Sequence, residues 1–238
     1  MKKIGGLATI LLIGFASVGQ EVRYRNLVLE GGGIRGFAYT GAFEVLDSLQ
    51  ILEHIERVGG TSAGAIQATL LAVGYRPEEI KEIALEVPLR KFNDGGLWRG
   101  MRRLKKEFGW YKGEKISEWI EELIERKTGN GNITFGELYR DRAVKGYKEL
   151  YITGTDLTYQ CMRVFSHEGY PNMRIRDAVR ISASIPIYFG AIMIDDEGKV
   201  YEEPDTSKHL HVMADGAVIS NYPLFLFDSA KYLSVACP

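Results

Sequence analysis

Gly60-Thr61-Ser62-Ala63-Gly64 sets a serine between two glycines in a GxSxG pattern. The residues behind it, His54 to Gly60, form a short strand-like approach, and those ahead, through Ala72, have the small apolar composition of a helix. Ser62 is therefore expected on a sharp strand-to-helix turn, where the chain passes so close to itself that Gly60 and Gly64 must lack side chains. Such an elbow aims the first amides and the dipole of the new helix at negative charge forming beside the hydroxyl. The chemistry that fits is nucleophilic attack by Ser62.

A second candidate is Gly31-Gly32-Gly33-Ile34-Arg35-Gly36, which follows an expected buried strand, Asn26 to Glu30, and precedes apolar residues at helical spacing from Phe37 to Leu49. Strand, glycine loop and helix make an anion-binding geometry. Two uses compete for it. Gly31, Gly33 and Gly36 satisfy the GxGxxG dinucleotide fingerprint, with Glu53 and Glu56 at the spacing of a ribose-binding acid. Alternatively, the N–H groups of Gly31, Gly32 and Gly33 form an oxyanion hole for a tetrahedral acyl intermediate, and Arg35 holds the loop or adds positive potential.

The third candidate is Asp215. His211 to Ala217 reads as an apolar strand that delivers this carboxylate into a turn at Gly216. A strand-end carboxylate is suited to work in a crevice, although Asp-Gly is also a common turn pair.

The elements that must position these groups alternate: strand, helix, strand, helix from Asn26 to Gly74, then a helix opened by Pro77 with Glu78 and Glu79 in its first turn. This predicts an α/β fold, a central mostly parallel or mixed β-sheet sandwiched by helices, with the site at the carboxyl ends of the strands. Ile116 to Ile124 marks an amphipathic helix stopping near Gly129, and Thr134 with Glu137 a capping box for a short helix through Leu138. Strands are expected at Leu150–Asp156, Cys161–Phe165 and Ile187–Ile194, the last turning through Asp195–Gly198 into Val200 and Tyr201, with a helix starting at Arg176 and a final strand at Tyr232–Ala236. Residues 89 to 111 are rich in Lys, Arg and aromatics. They read as a solvated helix face, a lid, or a contact with an anionic lipid surface.

With 238 residues, 45% of them hydrophobic, and a formal net charge of −1, the chain can bury one full core and offers no electrostatic case for nucleic acid. Lys2 and Lys3, an apolar run from Ile4 to Phe15, then small residues through Gly19 follow the order of a secretory signal peptide cut before Gln20. The expectation is a leader at 1–19 and a single domain at 20–238, secreted or held at the periplasm or outer membrane. No second stretch is long enough to span a bilayer. Cys161 and Cys237 fit no disulfide framework or metal motif. Nothing calls for a metal or organic cofactor.

GGGxRG at Gly31–Gly36, GxSxG at Gly60–Gly64 and Asp-Gly-Ala at Asp215–Ala217, in that order, resemble the patatin-like phospholipases, with weaker similarity through Gly154–Asp156 and Ala183–Pro186. The resemblance implies a three-layer fold and a Ser-Asp dyad without a catalytic histidine. Ser62 would be the nucleophile, Asp215 its general base, and the Gly31 to Gly33 loop the oxyanion hole. It also implies phospholipids, lysophospholipids or neutral glycerides as substrates, met at a lipid surface. Asp215 must be free of strong ion pairs to be basic enough for this role. Of the four histidines, His54, His167, His209 and His211, none follows Asp215, whereas an α/β-hydrolase triad needs one after its acid. A triad of His209 or His211 with Asp156 or Asp177 is the formal alternative. Two further readings are a nucleotide-binding protein built on Gly31–Gly36 and a non-catalytic lipid binder. The chain ends soon after Asp215, where the resembled family continues with more elements, so a compact or shortened domain is expected. Oligomeric state is not legible.

Overall fold

The computed structural model describes residues 24–94, 104, 109–229 and 231–232. The leader at 1–19, nearly all of the basic stretch between Asp94 and Gly109, and the last expected strand beyond Tyr232 lie outside the described residues.

The chain opens with β1 (Asn26–Leu29), a 3-10 turn (Gly33–Phe37) and α1 (Ala38–Ser48), then β2 (Arg57–Gly60), α2 (Ala63–Ala72) and α3 (Pro77–Glu86). After β3 (Gly109–Tyr111) come α4 (Glu114–Thr128), α5 (Phe135–Lys145), β4 (Glu149–Asp156), β5 (Cys161–Phe165) and α6 (Ile175–Ser182). The last elements are β6 (Ile187–Phe189), β7 (Ile192–Ile194), β8 (Val200–Tyr201) and β9 (His211–Asp215), followed by two 3-10 turns, Gly216–Val218 and Leu224–Phe227. Seven strands make one mixed sheet, with β1, β2 and β4 parallel and β5, β9, β7 and β8 joined antiparallel. This is the α/β architecture that the alternation predicts. No helix among the described residues is long and apolar enough to cross a membrane.

The register along β4 decides where the site falls. Ile152 pairs with both Gly60 of β2 and Phe165 of β5, and Gly154 pairs with both Asp215 of β9 and Arg163 of β5. A strand has two edges, so β5 occupies one and β2 and β9 share the other, end to end. β2 runs parallel to β4 and β9 antiparallel, so their carboxyl ends meet opposite Thr153.

The two faces of the sheet differ. Leu29, Val58, Leu150 and Ile152 join α2 and α6 in the main core, while Tyr151 turns the other way onto Leu226, Phe227 and Tyr232. α2 is buried almost all round, as expected of a helix with no polar face. Its end is a left-handed Gly74 at φ 93, with Tyr75 N–H returned to Leu70 O at 3.0 Å, a glycine C-cap.

Three local expectations are corrected. Ile187–Ile194 is two strands in two sheets: Gly190 N–H leaves to bond Tyr111 O at 2.9 Å, and Ile187 sits at φ 72, so the pairing of β3 with β6 ends before β7 joins β9. α5 runs past Leu138 to Lys145, where Gly146 at φ 74 stops it. Its last turns are exposed, Val144 included, so they carry no buried apolar spacing to report them. In α1 the residue with a fully buried side chain is Phe43, while Val45 and Leu49 face solvent.

Candidate active site

Ser62 stands at φ 53, ψ −121, a backbone conformation that costs a residue with a side chain roughly 1–3 kcal/mol. The surrounding bonds hold it there. Gly64 N–H reaches Thr61 O at 2.8 Å, Thr61 N–H reaches Leu29 O at 3.2 Å, and Ser62 N–H donates to Ser182 Oγ at 2.9 Å. The elbow glycines are required by close approach. A Cβ on Gly64 would lie 2.3 Å from Leu29 O, and one on Gly60 would lie 2.5 Å from Gly64 C.

Asp215 ends β9 with both its backbone groups used: its N–H donates to Ser184 O at 3.0 Å, and its carbonyl accepts from Thr155 Oγ1 at 2.9 Å. One carboxylate oxygen, Oδ1, accepts from Ala217 N–H at 2.8 Å. The other, Oδ2, accepts from Ser62 Oγ at 2.7 Å. Burial pushes the Asp215 carboxyl above the usual carboxylate range, against the opposite pull of the Ala217 amide and the Ser62 hydroxyl. No ion pair holds it down among the described residues, the condition that a carboxylate base needs. Gly216 leaves no room for a side chain, since its Cβ would meet Thr153 Oγ1 at 2.5 Å.

The glycine loop divides its tasks. Gly31 donates its N–H to Asn221 O at 3.0 Å and accepts at its own carbonyl from Asn221 Nδ2 at 2.9 Å. Its missing side chain lets the loop lie against the serine, because a Cβ there would sit 3.1 Å from Ser62 Cβ and 2.4 Å from Asn221 Oδ1. With the Gly31 amide engaged, the next two amides, those of Gly32 and Gly33, lead the 3-10 turn, and Gly33 takes φ 53. Gly36 packs on the helix that follows Ser62, its would-be Cβ 2.9 Å from Ala63 Cβ. Arg35 is exposed.

The structure thus brings together Ser62, Asp215, Gly31, Gly60, Gly64 and Gly216, with Gly32, Gly33 and Arg35 following on the same loop. The family model described as patatin-like phospholipase matches residues 27–228. The chain belongs to this family. Its relatives include the Bacillus subtilis (strain 168) uncharacterized protein YqhO, 33% identical over 220 residues, covering 87% of this chain and 68% of that protein. The probable lipid hydrolase 463L of Invertebrate iridescent virus 6 is 31% identical over 203 residues, covering 84% of this chain and 62% of that one. Among solved structures, VipD from Legionella pneumophila aligns with a TM-score of 0.62 at 18% identity, over 89% of this chain and 49% of VipD, which shows a shared fold. The chain therefore spans about two thirds of the curated relatives and half of VipD.

Four residues of this patatin-like site were not singled out from sequence: Thr153, Ser182, Ser184 and Asn221. Ser182 and Ser184 lie in or beside a stretch the family resemblance touched, but Thr153 and Asn221 carry no spacing signal. Arg180 braces Ser184. Its guanidinium is buried, donates to Gly113 O at 2.9 Å and bonds Ser184 Oγ and Lys112 O, and burial brings it down to about 10.

The rival arrangements separate. His211 does pair with Asp156, at 2.7 Å, but it begins β9 and Asp215 ends it, a span of about 13 Å along an extended strand. Ser62 contacts the far end. Asp177 pairs with Arg174 and Arg176. Glu53 and Glu56 precede β2 and pair with His54 and with Arg25 and Arg57. They lie at the amino end of a strand parallel to β1, whereas Gly31–Gly36 leaves the carboxyl end of β1, so they are misplaced for a ribose held by that loop.

Proposed function

We propose that the chain is a serine lipid acyl hydrolase that cleaves fatty-acyl esters of phospholipids, lysophospholipids or glycerides through an acyl-Ser62 intermediate. The observation that carries the reading is the 2.7 Å bond from Ser62 Oγ to an Asp215 carboxylate that no cation among the described residues neutralises. Asp215 takes the hydroxyl proton as Oγ attacks the ester carbon, and the amides of Gly32 and Gly33 stabilise the oxyanion. The protonated Asp215 then donates to the departing alcohol. In the second half, water attacks the acyl-Ser62 ester, Asp215 takes its proton, and as the Oγ–acyl bond breaks Asp215 returns that proton to Ser62 Oγ while the fatty acid leaves.

The substrate class draws support from the loops that carry the machinery. Ile34, Ile185, Ile187, Val218, Ile219 and Tyr222 follow the glycine loop, Ser184 and Asp215 closely in sequence, and all are exposed. Apolar side chains exposed on the loops that carry a polar dyad suit an acyl chain. The name of relative 463L points the same way. With this reading goes export, with residues 1–19 removed, which an intact mass beginning at Gln20 would establish and one retaining Met1 would overturn.

Fluorophosphonate labelling, run beside fatty-acid release from phospholipid and glyceride vesicles, tests the chemistry. Wild type labels and turns over, while Ser62→Ala loses the label and slows release by about 10⁴-fold or more. A folded wild type that neither labels nor releases fatty acid overturns the proposal.

A further inference from the structure

At the opposite end of β9 from the dyad, a group of side chains is arranged for a task the acyl chemistry does not use. His211 is buried, and its Nδ1 lies 2.7 Å from Asp156 Oδ2. Asp156 also accepts from Arg163 Nε and Nη2 and from the N–H groups of Thr158 and Tyr159. So surrounded by donors it is an acceptor only, which puts the His211 proton on Nδ1 and its lone pair on Nε2. That lone pair faces Asp196 Oδ1 at 2.9 Å. His209 stands on the same carboxylate. Its Nε2 lies 2.6 Å from the Tyr159 hydroxyl, and its Nδ1 lies 3.2 Å from both oxygens of Asp196.

Two imidazoles thus converge on one exposed carboxylate, and with its proton on Nδ1 the His211 Nε2 lone pair meets Asp196 Oδ1 at 2.9 Å, a contact that a bridging proton or metal cation relieves. We propose that Asp196, His209 and His211 bind a divalent transition metal of the zinc class. The ligand atoms all lie within 4.8 Å of one another. A tetrahedral ion with bonds of about 2.1 Å separates its ligand atoms by roughly 3.3 Å, so the two oxygen-to-nitrogen pairs, now at 2.9 and 3.2 Å, need to open by only a few tenths of an ångström to admit it, and the exposed Asp196 and His209 side chains are free to do so. Two imidazoles and one carboxylate are a zinc donor set, and three protein ligands leave a position for water. The partners behind the histidines complete the argument. Metal-bound histidines hold their second nitrogen on an oxygen partner, and Asp156 and the Tyr159 hydroxyl stand in those places.

The ion would tie the start of β9 to the turn after β7, since Ile194 pairs with His211 and Asp196 follows two residues on. At about 13 Å along the strand from Asp215, it takes no part in acyl transfer, so the site is structural and independent of the hydrolase reading.

Untagged protein, stripped with EDTA and titrated with ZnCl₂ by calorimetry, tests this, with zinc counted by elemental analysis and thermal unfolding followed alongside. One zinc per chain at micromolar affinity or tighter is expected, with a rise in Tm. His209→Ala and Asp196→Asn alter exposed side chains, 53% and 68% accessible, and so keep the fold. Each should weaken zinc binding at least about 10-fold and lose the Tm rise, and Asp156→Asn should weaken it about 10- to 100-fold. Absence of saturable zinc binding, the result if a proton alone bridges the cluster, overturns the proposal. So does binding that both exposed variants leave unchanged.

Discussion

Thr61 Oγ1 and Thr153 Oγ1 lie 2.6 Å apart, both residues wholly buried, at the point on β4 where the carboxyl ends of β2 and β9 meet. Thr153 thereby touches both turns of the candidate site. Its hydroxyl bonds the residue before Ser62, and its oxygen is the atom that leaves Gly216 no room for a side chain. Its hydroxyl hydrogen-bonds neither Ser62 nor Asp215, so under the proposed mechanism it is a positioning residue between the two turns.

Thr153→Val keeps the shape and removes the hydroxyl, leaving Thr61 with only a long bond of 3.4 Å to Ser220 O. The cost should be about 1–2 kcal/mol in urea unfolding. Misplacing both turns acts on chemistry more than on binding, so kcat should fall with KM nearly constant. Thr153→Ser, which restores the donor, should recover most of both. A kcat unchanged in the valine variant would deny the positioning role.

The pH dependence of turnover follows from Asp215, whose carboxyl burial raises above its ordinary value. As the base it works ionised, so kcat/KM should fall on acidification with an inflection above the ordinary value of about 3.9. The stability sign is opposite. Folding favours the protonated form, so this group's contribution is full below its unfolded value and is lost as pH rises through the folded one. Asp215→Asn should therefore unfold at a higher Tm than wild type at pH 7 while losing turnover, and that advantage should shrink toward pH 4. Equal Tm differences at both values would contradict it.

Ser62 is held in a strained conformation, φ 53 and ψ −121, and glycine is the residue that adopts positive φ without cost. Ser62→Ala and Ser62→Gly both remove the hydroxyl, so comparing them isolates the backbone. Relief of roughly 1–3 kcal/mol outweighs the 0.4–1 kcal/mol or so that glycine's freer unfolded chain costs. Ser62→Gly should be the more stable by about 1 kcal/mol in chemical denaturation, with neither variant active. If the alanine variant is the more stable, the elbow is not strained.

The parts of the site that were legible in sequence are those where backbone geometry restricts residue type. Gly31, Gly60, Gly64 and Gly216 each face a backbone or side-chain atom within 3 Å of a would-be Cβ, so composition reports the constraint directly. The strand-to-helix alternation was legible for the same reason, through Gly74 and Pro77 at helix boundaries. Thr153 and Asn221 were not, because their importance lies in pairings 92 and 190 residues distant in the chain. The split of Ile187–Ile194 was hidden too, since both halves are apolar and only the partner strands tell them apart. Likewise, His209 and His211 show their purpose only once Asp156, Tyr159 and Asp196 are folded around them.

Two glycines on neighbouring helices should respond to alanine in opposite directions. At Gly64 the new methyl would meet Leu29 O at 2.3 Å and Glu30 O at 2.6 Å. Both are backbone atoms, of the last residue of β1 and of the one that leads from it into the glycine loop, so neither can swing aside. Relief requires α2 to move off β1, which opens the elbow and the loop together. Gly64→Ala should cost about 3 kcal/mol or more, with fluorophosphonate labelling lost even in the fraction that folds. At Gly41, inside α1, a methyl meets nothing within 4 Å. Gly41→Ala should instead stabilise by about 0.5–1 kcal/mol, because alanine restricts the unfolded chain and favours the helix, with labelling unchanged. Urea midpoints for the two variants give the answer. If both destabilise alike, the close approach of α2 to β1 is not what sets the glycine at position 64.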